Sequence, residues 1–294
     1  MQLETDHNYS TSHNDIDVDR LKYHPEFSSQ EADVILASKD AKVYFRVPSF
    51  TLRTTSGFFQ TMFSLPQSDT SPPNIIYLDE DADILECLLR MLCGFAFPDI
   101  VSHDTLESLA YAAEKYDMAG PLSLIRMYIM TTTLSDPIRL YAIACRHGWI
   151  QEAKELSRRT LSMNIYDQTH RSTLRALSSD AMLNLFVLHR SRKDELEKAL
   201  NSPPFVSGGA STCIECHHPI VDYTWKLLKG KMLAEMDKRP LGDTILDEGL
   251  SSWPEAISCW KATCPNQPCR RLLFDRSETI RVIKNCIKEL KDTV

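Results

Sequence analysis

The stretch Ala32–Phe63, ADVILASKDAKVYFRVPSFTLRTTSGFFQTMF, constrains the fold of this chain more than any other. Val34 and Leu36 alternate with Asp33 and Ile35, and Val43, Phe45 and Val47 alternate with Tyr44 and Arg46. A period of two places one set on each face of a strand. Ser38-Lys39-Asp40-Ala41 supplies the polar turn between the two strands. Pro48-Ser49 stops the second strand and opens a helical pattern through Leu52. A second helix follows Ser56 and buries Phe59, Met62 and Phe63. The order is hairpin, helix, helix.

The series continues downstream. Asn74–Leu78 (NIIYL) reads as a third strand with Ile76 and Leu78 inward. Asp79–Cys93 reads as a helix whose Ile84, Leu85, Leu88, Leu89 and Leu92 share one face. Asp79, Glu80, Asp81 and Asp83 cluster at its N-terminal end, where negative charge suits the helix dipole. Leu106–Met118 (LESLAYAAEKYDM) places Leu109, Ala112, Ala113 and Tyr116 on a core face. In this order the elements resemble a BTB/POZ domain, a dimerising and adaptor fold. Asp136–Ala153 is similar to the helical segment that follows the domain in many fungal proteins of this type. The resemblance implies an α+β fold class. A small sheet (33–37, 42–47, 74–78) is covered by helices (49–64, 82–93, 105–116, 121–130), and a mostly α-helical region follows. Two positions depart from the family pattern. Pro48 stands where a histidine is usual, and Asp40-Ala41 replaces the usual hairpin glycine.

Bulk properties agree with such a chain. Its 294 residues suffice for about two domains. A 43% hydrophobic and 25% charged content is that of a globular protein. Only 9 glycines favour helices over a turn-rich β fold. The net charge is −7, and Arg270, Arg271, Arg276, Arg281, Lys284 and Lys288 are interleaved with Asp275, Glu278, Glu289 and Asp292. Solvated helix faces look like this, whereas a phosphate track is continuous, so no direct nucleic-acid partner is expected. No apolar run reaches membrane-span length, and the first twenty residues match no secretory signal. Cys87, Cys93 and Cys145 fall on helix faces expected to be buried. With an odd total of 9 cysteines, a reducing intracellular compartment, cytoplasm or nucleus, is expected.

Four segments follow from composition. Residues 1–27 are polar and read as a disordered tail, 28–131 as the BTB/POZ-like domain, 132–200 as a helical extension and 201–294 as a helical, cysteine-bearing region. Pro66–Pro73 is a polar loop and Asn201–Ala210 a linker. Asp136-Pro137 starts a helix as N-cap and first residue, and Gly148 stops it. Helices are expected at about 150–163, 172–178 and 180–200, the last with Met182, Leu185, Phe186, Leu188 and His189 inward. Tyr223–Met236, Trp253–Trp260 and Ser277–Leu290 complete the chain, with Ile280, Ile283, Ile287 and Leu290 as the closing stripe.

Chemistry-bearing patterns are few. Cys213-Ile214-Glu215-Cys216 is a C-x2-C knuckle, followed by His217 and His218, with Cys259, Cys264 and Cys269 far downstream. Zinc takes four ligands in a tetrahedron, and such a knuckle presents two from one turn. Cys213, Cys216, Cys264 and Cys269 are therefore candidate zinc ligands, and His217 is an alternative to one of the cysteines. Free cysteines in a small helical domain are the competing reading, and nothing else in the chain asks for a cofactor. CIECH also spells a haem-attachment pattern, which needs an export route this sequence does not display. Asp15, Asp17, Asp19 and Glu26 have calcium-loop spacing, but Arg20 holds the position that needs glycine. Cys145 and His147 are too close on one helix to meet as nucleophile and base. No phosphate loop or nucleophile elbow is present, so no enzymatic activity is expected.

The expected function is protein–protein interaction. The resemblance implies a homodimer and a protein partner, and in some BTB proteins that partner is a cullin scaffold of a ubiquitin ligase. Phe58, Met62, Phe63, Phe95 and Phe97 are the candidate interface residues, the last two within Cys93–Pro98 (CGFAFP). A zinc-stabilised regulatory or transcription-associated protein is the alternative reading, and an enzyme with an unrecognised site is the third.

Overall fold

A computed structural model describes residues 20–65, 75–205 and 211–294. It divides into two compact units, Met1–Met127 and Tyr128–Val294. The acidic set Asp15, Asp17 and Asp19, the Pro66–Pro73 loop and part of the 201–210 linker lie outside the described residues.

The N-terminal unit is built on three strands, β1 (Val34–Ala37), β2 (Tyr44–Val47) and β3 (Ile75–Tyr77), in the order β2-β1-β3. β1 runs antiparallel to β2 with Leu36 opposite Phe45, and parallel to β3 with Leu36 opposite Ile76. Being central, β1 is buried along its whole length. The alternation in the sequence leads one to expect Ile35 outward. Instead Ile35, Ala37 and Tyr44 form a cluster with Leu21, Tyr23 and Ile75. Residues 20–27 therefore leave the tail expected to be disordered. Tyr23 bridges Tyr44, and the backbone of His24 donates to the Tyr44 carbonyl at 2.8 Å. A 3-10 turn, Pro25–Phe27, then lays Phe27 against Phe45, with ring centroids 5.7 Å apart.

Ala41 takes the left-handed backbone, φ 53°, that the missing hairpin glycine would have adopted freely. The Asp40 carboxylate steadies the turn by accepting from Ser38 Oγ at 2.9 Å and from the Lys42 amide at 3.1 Å. Pro48 gives α1 (Ser49–Thr55) no side-chain cap, and the cap comes from the residue just before β1 instead. Asp33 accepts from the Ser49 amide at 2.7 Å and from its hydroxyl at 2.5 Å. Ser56 ends α1 and caps α2 (Gly57–Ser64), so the stretch 49–64 holds two helices that part at Ser56, as the sequence pattern leads one to expect. Its hydroxyl donates to the Tyr116 carbonyl at 2.6 Å and accepts from the Phe59 amide at 3.2 Å. Gly57 follows, and a Cβ there would come 1.9 Å from the Asp117 carboxylate and displace it.

α3 (Ala82–Cys93), α4 (His103–Lys115) and α5 (Ala119–Thr131) follow. Ile84, Leu85, Leu88 and Leu89 bury the expected face of α3, and Leu106, Leu109, Ala112 and Ala113 that of α4. Glu80, buried at the start of this series, joins β3 to the end of α4. It accepts from Lys115 Nζ at 2.9 Å and from the Tyr116 hydroxyl. Cys87, Cys93 and Cys145 are half-buried instead of being sunk in the core, and burial still pushes all three thiols up.

The C-terminal unit is helical. Asp136 caps α6 (Pro137–Arg146) through the amides of Ile138 and Arg139, with Pro137 first in the helix. Gly148, at φ 67°, turns the chain into α7 (Ile150–Thr160). The short α8 (Arg171–Arg175) leads to α9 (Ser179–Leu200). Then come α10 (Tyr223–Lys238), a five-residue π-helical turn (Ile245–Gly249), α11 (Leu250–Ser252), α12 (Pro254–Trp260) and α13 (Arg276–Glu289). Their shared core holds Leu196 and Leu200 of α9, Trp225, Leu228 and Met232 of α10, and Ile283 and Ile287 of α13.

Two polar groups are buried with α9. Arg192 donates to the carbonyls of Pro240 at 2.7 Å, Leu290 at 3.0 Å, Lys291 at 2.8 Å and Leu241 at 3.3 Å. His189 meets Thr160 Oγ1 at 2.9 Å through Nε2. The Thr160 hydroxyl already donates to the Ser157 carbonyl at 2.6 Å. Nε2 must therefore carry the hydrogen, which leaves the buried Nδ1 bare.

Burial, and then the Arg192 charge, hold the His189 imidazole down at about 4. An unfolded histidine titrates near 6.5, so the unfolded chain binds the extra proton between those two values. His189 thus contributes stability that is complete above about pH 6.5 and is lost as pH falls toward 4. The unfolding midpoint in urea should drop by about 2–3 kcal/mol equivalent from pH 7 to 4.5, and His189→Gln should flatten that fall. Arg192→Lys should destabilise the chain by about 2–3 kcal/mol, because one ammonium cannot serve four carbonyls; an unchanged melting temperature would contradict it.

Candidate functional site

The two cysteine-bearing segments of the C-terminal unit fold alike. Thr212 pairs with Pro219, and Thr263 with Leu272, in isolated antiparallel bridges. The Cys213 amide donates to the His218 carbonyl at 2.9 Å, and the Cys264 amide to the Arg271 carbonyl at 2.8 Å. Outside these, Ile220 donates to Ser211 at 2.8 Å and Leu273 to Ala262 at 2.9 Å. Counted from the cysteines, the two sets of closing bonds are in the same register. This holds although C-x2-C spaces one pair and C-x4-C the other.

After each second cysteine the backbone turns left-handed, at His217 (φ 56°) and Arg270 (φ 46°). For residues with a Cβ this conformation costs about 1 kcal/mol, so something must hold it. In both turns it directs the amide two residues on, His218 or Arg271, to the sulfur of Cys216 or Cys269. The Asn266 amide serves Cys264, and the Asn266 side chain crosses to Cys216. An ion pair between Glu215 and Arg271 also joins the two turns.

The result is a cluster of four sulfurs. Cys213 lies 3.7 Å from Cys269 and Cys216 lies 3.5 Å from Cys264, and all four Sγ atoms are within 4.8 Å of one another. A disulfide would need about 2.05 Å, so these are separate thiols. Cys213 and Cys264 are buried, and Cys216 and Cys269 half-buried. The Asn266 side chain, then the His218 amide, hold the Cys216 thiol down at about 6. Burial pushes Cys264 up to about 12. The Arg271 amide pulls Cys269 down, but burial and the neighbouring sulfurs outweigh it.

His217 and His218 are exposed on their turn, and the converging atoms are all sulfurs. Cys259 is fully buried on α12, apart from the cluster, with its thiol raised to about 11 by burial. Cys145 is bonded to Tyr141 and His147 stacks on Trp149 at 4.9 Å, so each has a structural role. Asn266 escaped the sequence reading. Its signal was its place two residues after a cysteine, where an amide can reach back to sulfur.

The N-terminal unit offers surfaces of another kind. Its hairpin, paired helices and parallel third strand occur in the order described above. Residues 24–133 match the family model for the BTB/POZ domain. This segment is a BTB/POZ domain. No curated protein matches the chain.

Within the BTB/POZ domain the candidate aromatics belong to two clusters. Phe58 is 41% exposed and presents its ring edge to Phe59 and Tyr116, at 5.2 and 5.3 Å. Phe63 is half-buried, stacked on Phe59, with Arg53 over its ring at 5.3 Å. Met62 beside it is half-buried too, so α2 sinks only Phe59 completely. Phe95 is 44% exposed and leans on Phe27 at 5.4 Å, and Phe97 is 40% exposed. The domain also exposes Phe50 on α1 (74%) and Tyr111 on α4 (63%), more open than any aromatic singled out from sequence. Their helical positions carry no signal, since an isolated outward aromatic is ordinary.

Burial separates the folding aromatics from the available ones. Phe59→Ala should cost about 3–4 kcal/mol of stability. Phe50→Ser should stay within about 0.5 kcal/mol of the parent in the same thermal or urea melt, and an equal loss from both would contradict the assignment.

Proposed function

We propose that this chain is a homodimeric adaptor that works inside the cell, in cytoplasm or nucleus, by holding a protein partner. The observation that carries this is the BTB/POZ domain at residues 24–133, a fold that mediates protein–protein interaction and dimerisation. Large apolar side chains left open on it support the reading. Phe50, Phe58, Phe95 and Phe97 expose between 40% and 74% of their surface, and aromatic anchors of this kind dominate interface energetics. Met62, one helical turn after Phe58, and Phe63 are half-buried on α2. Among the described residues, no helix is long and apolar enough to cross a membrane.

The finer proposal is that the partner bound by the BTB/POZ domain is a cullin scaffold, so that the chain serves as a substrate adaptor of a ubiquitin ligase. On that reading the helical C-terminal unit carries the substrate-facing surface. A zinc-stabilised regulatory or transcription-associated protein is a second reading, favoured by the four converging sulfurs. The two readings are compatible.

The tests separate the levels. Light scattering at micromolar concentration should give twice the 33.6 kDa of one chain, and a monomer would refute the dimer. Phe58→Glu and Phe95→Glu, each of which gives up a ring contact with its neighbours, should lower stability by about 1–2 kcal/mol and leave the chain folded. At least one of them should weaken either dimerisation or cullin binding by about tenfold or more. Size-exclusion chromatography with purified cullin N-terminal regions should yield a stoichiometric complex. Failure with every cullin of the source cell would sink the ligase role and leave the dimer standing.

A further inference from the structure

We propose that Cys213, Cys216, Cys264 and Cys269 bind a single zinc ion that staples the C-terminal unit, independently of what the BTB/POZ domain does. The geometry points there by several routes. A tetrahedron with metal–sulfur bonds of about 2.3 Å has sulfur–sulfur edges of about 3.8 Å. Cys213 and Cys269 stand 3.7 Å apart and Cys216 and Cys264 3.5 Å apart, and no pair exceeds 4.8 Å. Thiols packed for van der Waals contact alone do not need two turns folded to one hydrogen-bond register, and these two are.

The backbone tells the same story. Each turn spends a left-handed non-glycine residue to aim an amide at its second sulfur. Amides donated to sulfur stabilise thiolate, and hydrogen bonds around first ligands orient them. Four sulfurs gathered from two distant segments leave room among them for one shared cation. The donor set is four mutually close sulfurs with no oxygen, which suits zinc and rules out calcium or magnesium.

The staple has a definite reach. The helices already share an apolar core of Trp225, Leu228, Met232, Ile283 and Ile287. Residues 211–220 and 262–273, by contrast, hold no helix or strand, and each closes on itself through one isolated bridge. Zinc would fasten the segment leading into α10 to the segment between α12 and α13. Its removal should loosen these two turns first and leave the helical core folded.

The test uses the full chain, purified under reducing conditions from zinc-supplemented cells. Metal analysis should find about one zinc per chain, in a colourless protein. A thiol-specific mercurial should release it in step with about four thiols. Metal-free chain titrated with cobalt(II) should saturate at one equivalent, with sulfur-to-cobalt charge-transfer absorption and the visible bands of tetrahedral thiolate. Hydrogen exchange should speed up in 211–220 and 262–273 on zinc removal, with α10 and α13 changed little.

Cys213→Ser with Cys264→Ser, one ligand from each turn, should drop zinc below about a tenth of an equivalent. Cys286→Ser, on α13 and outside the cluster, should retain it. The cobalt titration of unaltered chain decides the matter even if the double variant fails to fold. Iron in place of zinc, a metal-free protein with disulfides among these cysteines, cobalt bound without thiolate bands, or zinc retained by the double variant would each overturn the proposal.

Discussion

The helical part of this protein is organised around a buried guanidinium held by the backbone. Arg192 gives its hydrogen bonds to the carbonyls of Pro240, Leu241, Leu290 and Lys291. Each is a chain segment that leaves a helix, where carbonyls lack their intrahelical partners. One side chain of α9 thus satisfies the end of α13 and the turn after α10 together. A carboxylate partner would fix one neighbour; the planar fork fixes two segments at once. Burial disfavours the charge and pulls the Arg192 pKa down, so the arrangement holds only while all the acceptors stay in place. His189, one turn earlier, must remain neutral in the same environment, which makes this region acid-sensitive.

The BTB/POZ domain solves a different problem. Among the described residues its sheet has three short strands, and β1, the middle one, is buried along its length. The segment 20–27 provides part of that cover, by pairing with β2 and inserting Phe27 against Phe45. Beneath the helices, Ser56 and Glu80 are polar but fully committed. One joins α2 to the end of α4, and the other joins the start of α3 to Lys115 and Tyr116. With its interior closed in this way, the domain still keeps Phe50, Phe58, Phe95 and Phe97 partly exposed.

The sulfur cluster and the helical core share the work of the C-terminal unit. Apolar burial holds the helices, whereas the two cysteine turns have no core of their own. A short irregular segment gains little by burying side chains, so a metal is the economical way to order it. The zinc proposal explains why the turns match in register despite different cysteine spacing. A four-sulfur site fixes where each chain enters and leaves, and is indifferent to the number of residues looped out between ligands.

Much of the fold was legible along the chain because its signals are local. Strand alternation, the Asp136-Pro137 start, the Gly148 stop and the apolar stripes of α3, α4 and α13 each depend on residues a few positions apart. The C-x2-C at 213 and 216 was legible for the same reason. Position in a sheet is not local: Ile35 looked outward by period, yet β1 lies in the middle and both its sides are covered. The ligand partnership was open as well, since Cys259, Cys264 and Cys269 are evenly spaced and His217 adjoins the first pair. Only the tertiary structure buried Cys259 in α12, left His217 exposed and brought Cys264 and Cys269 to the knuckle. The sequence determined which segments turn and which face of each helix is apolar, because those follow from neighbours. Which distant side chains meet was decided by the packing of α9, α10, α12 and α13, a many-body outcome that no local spacing encodes.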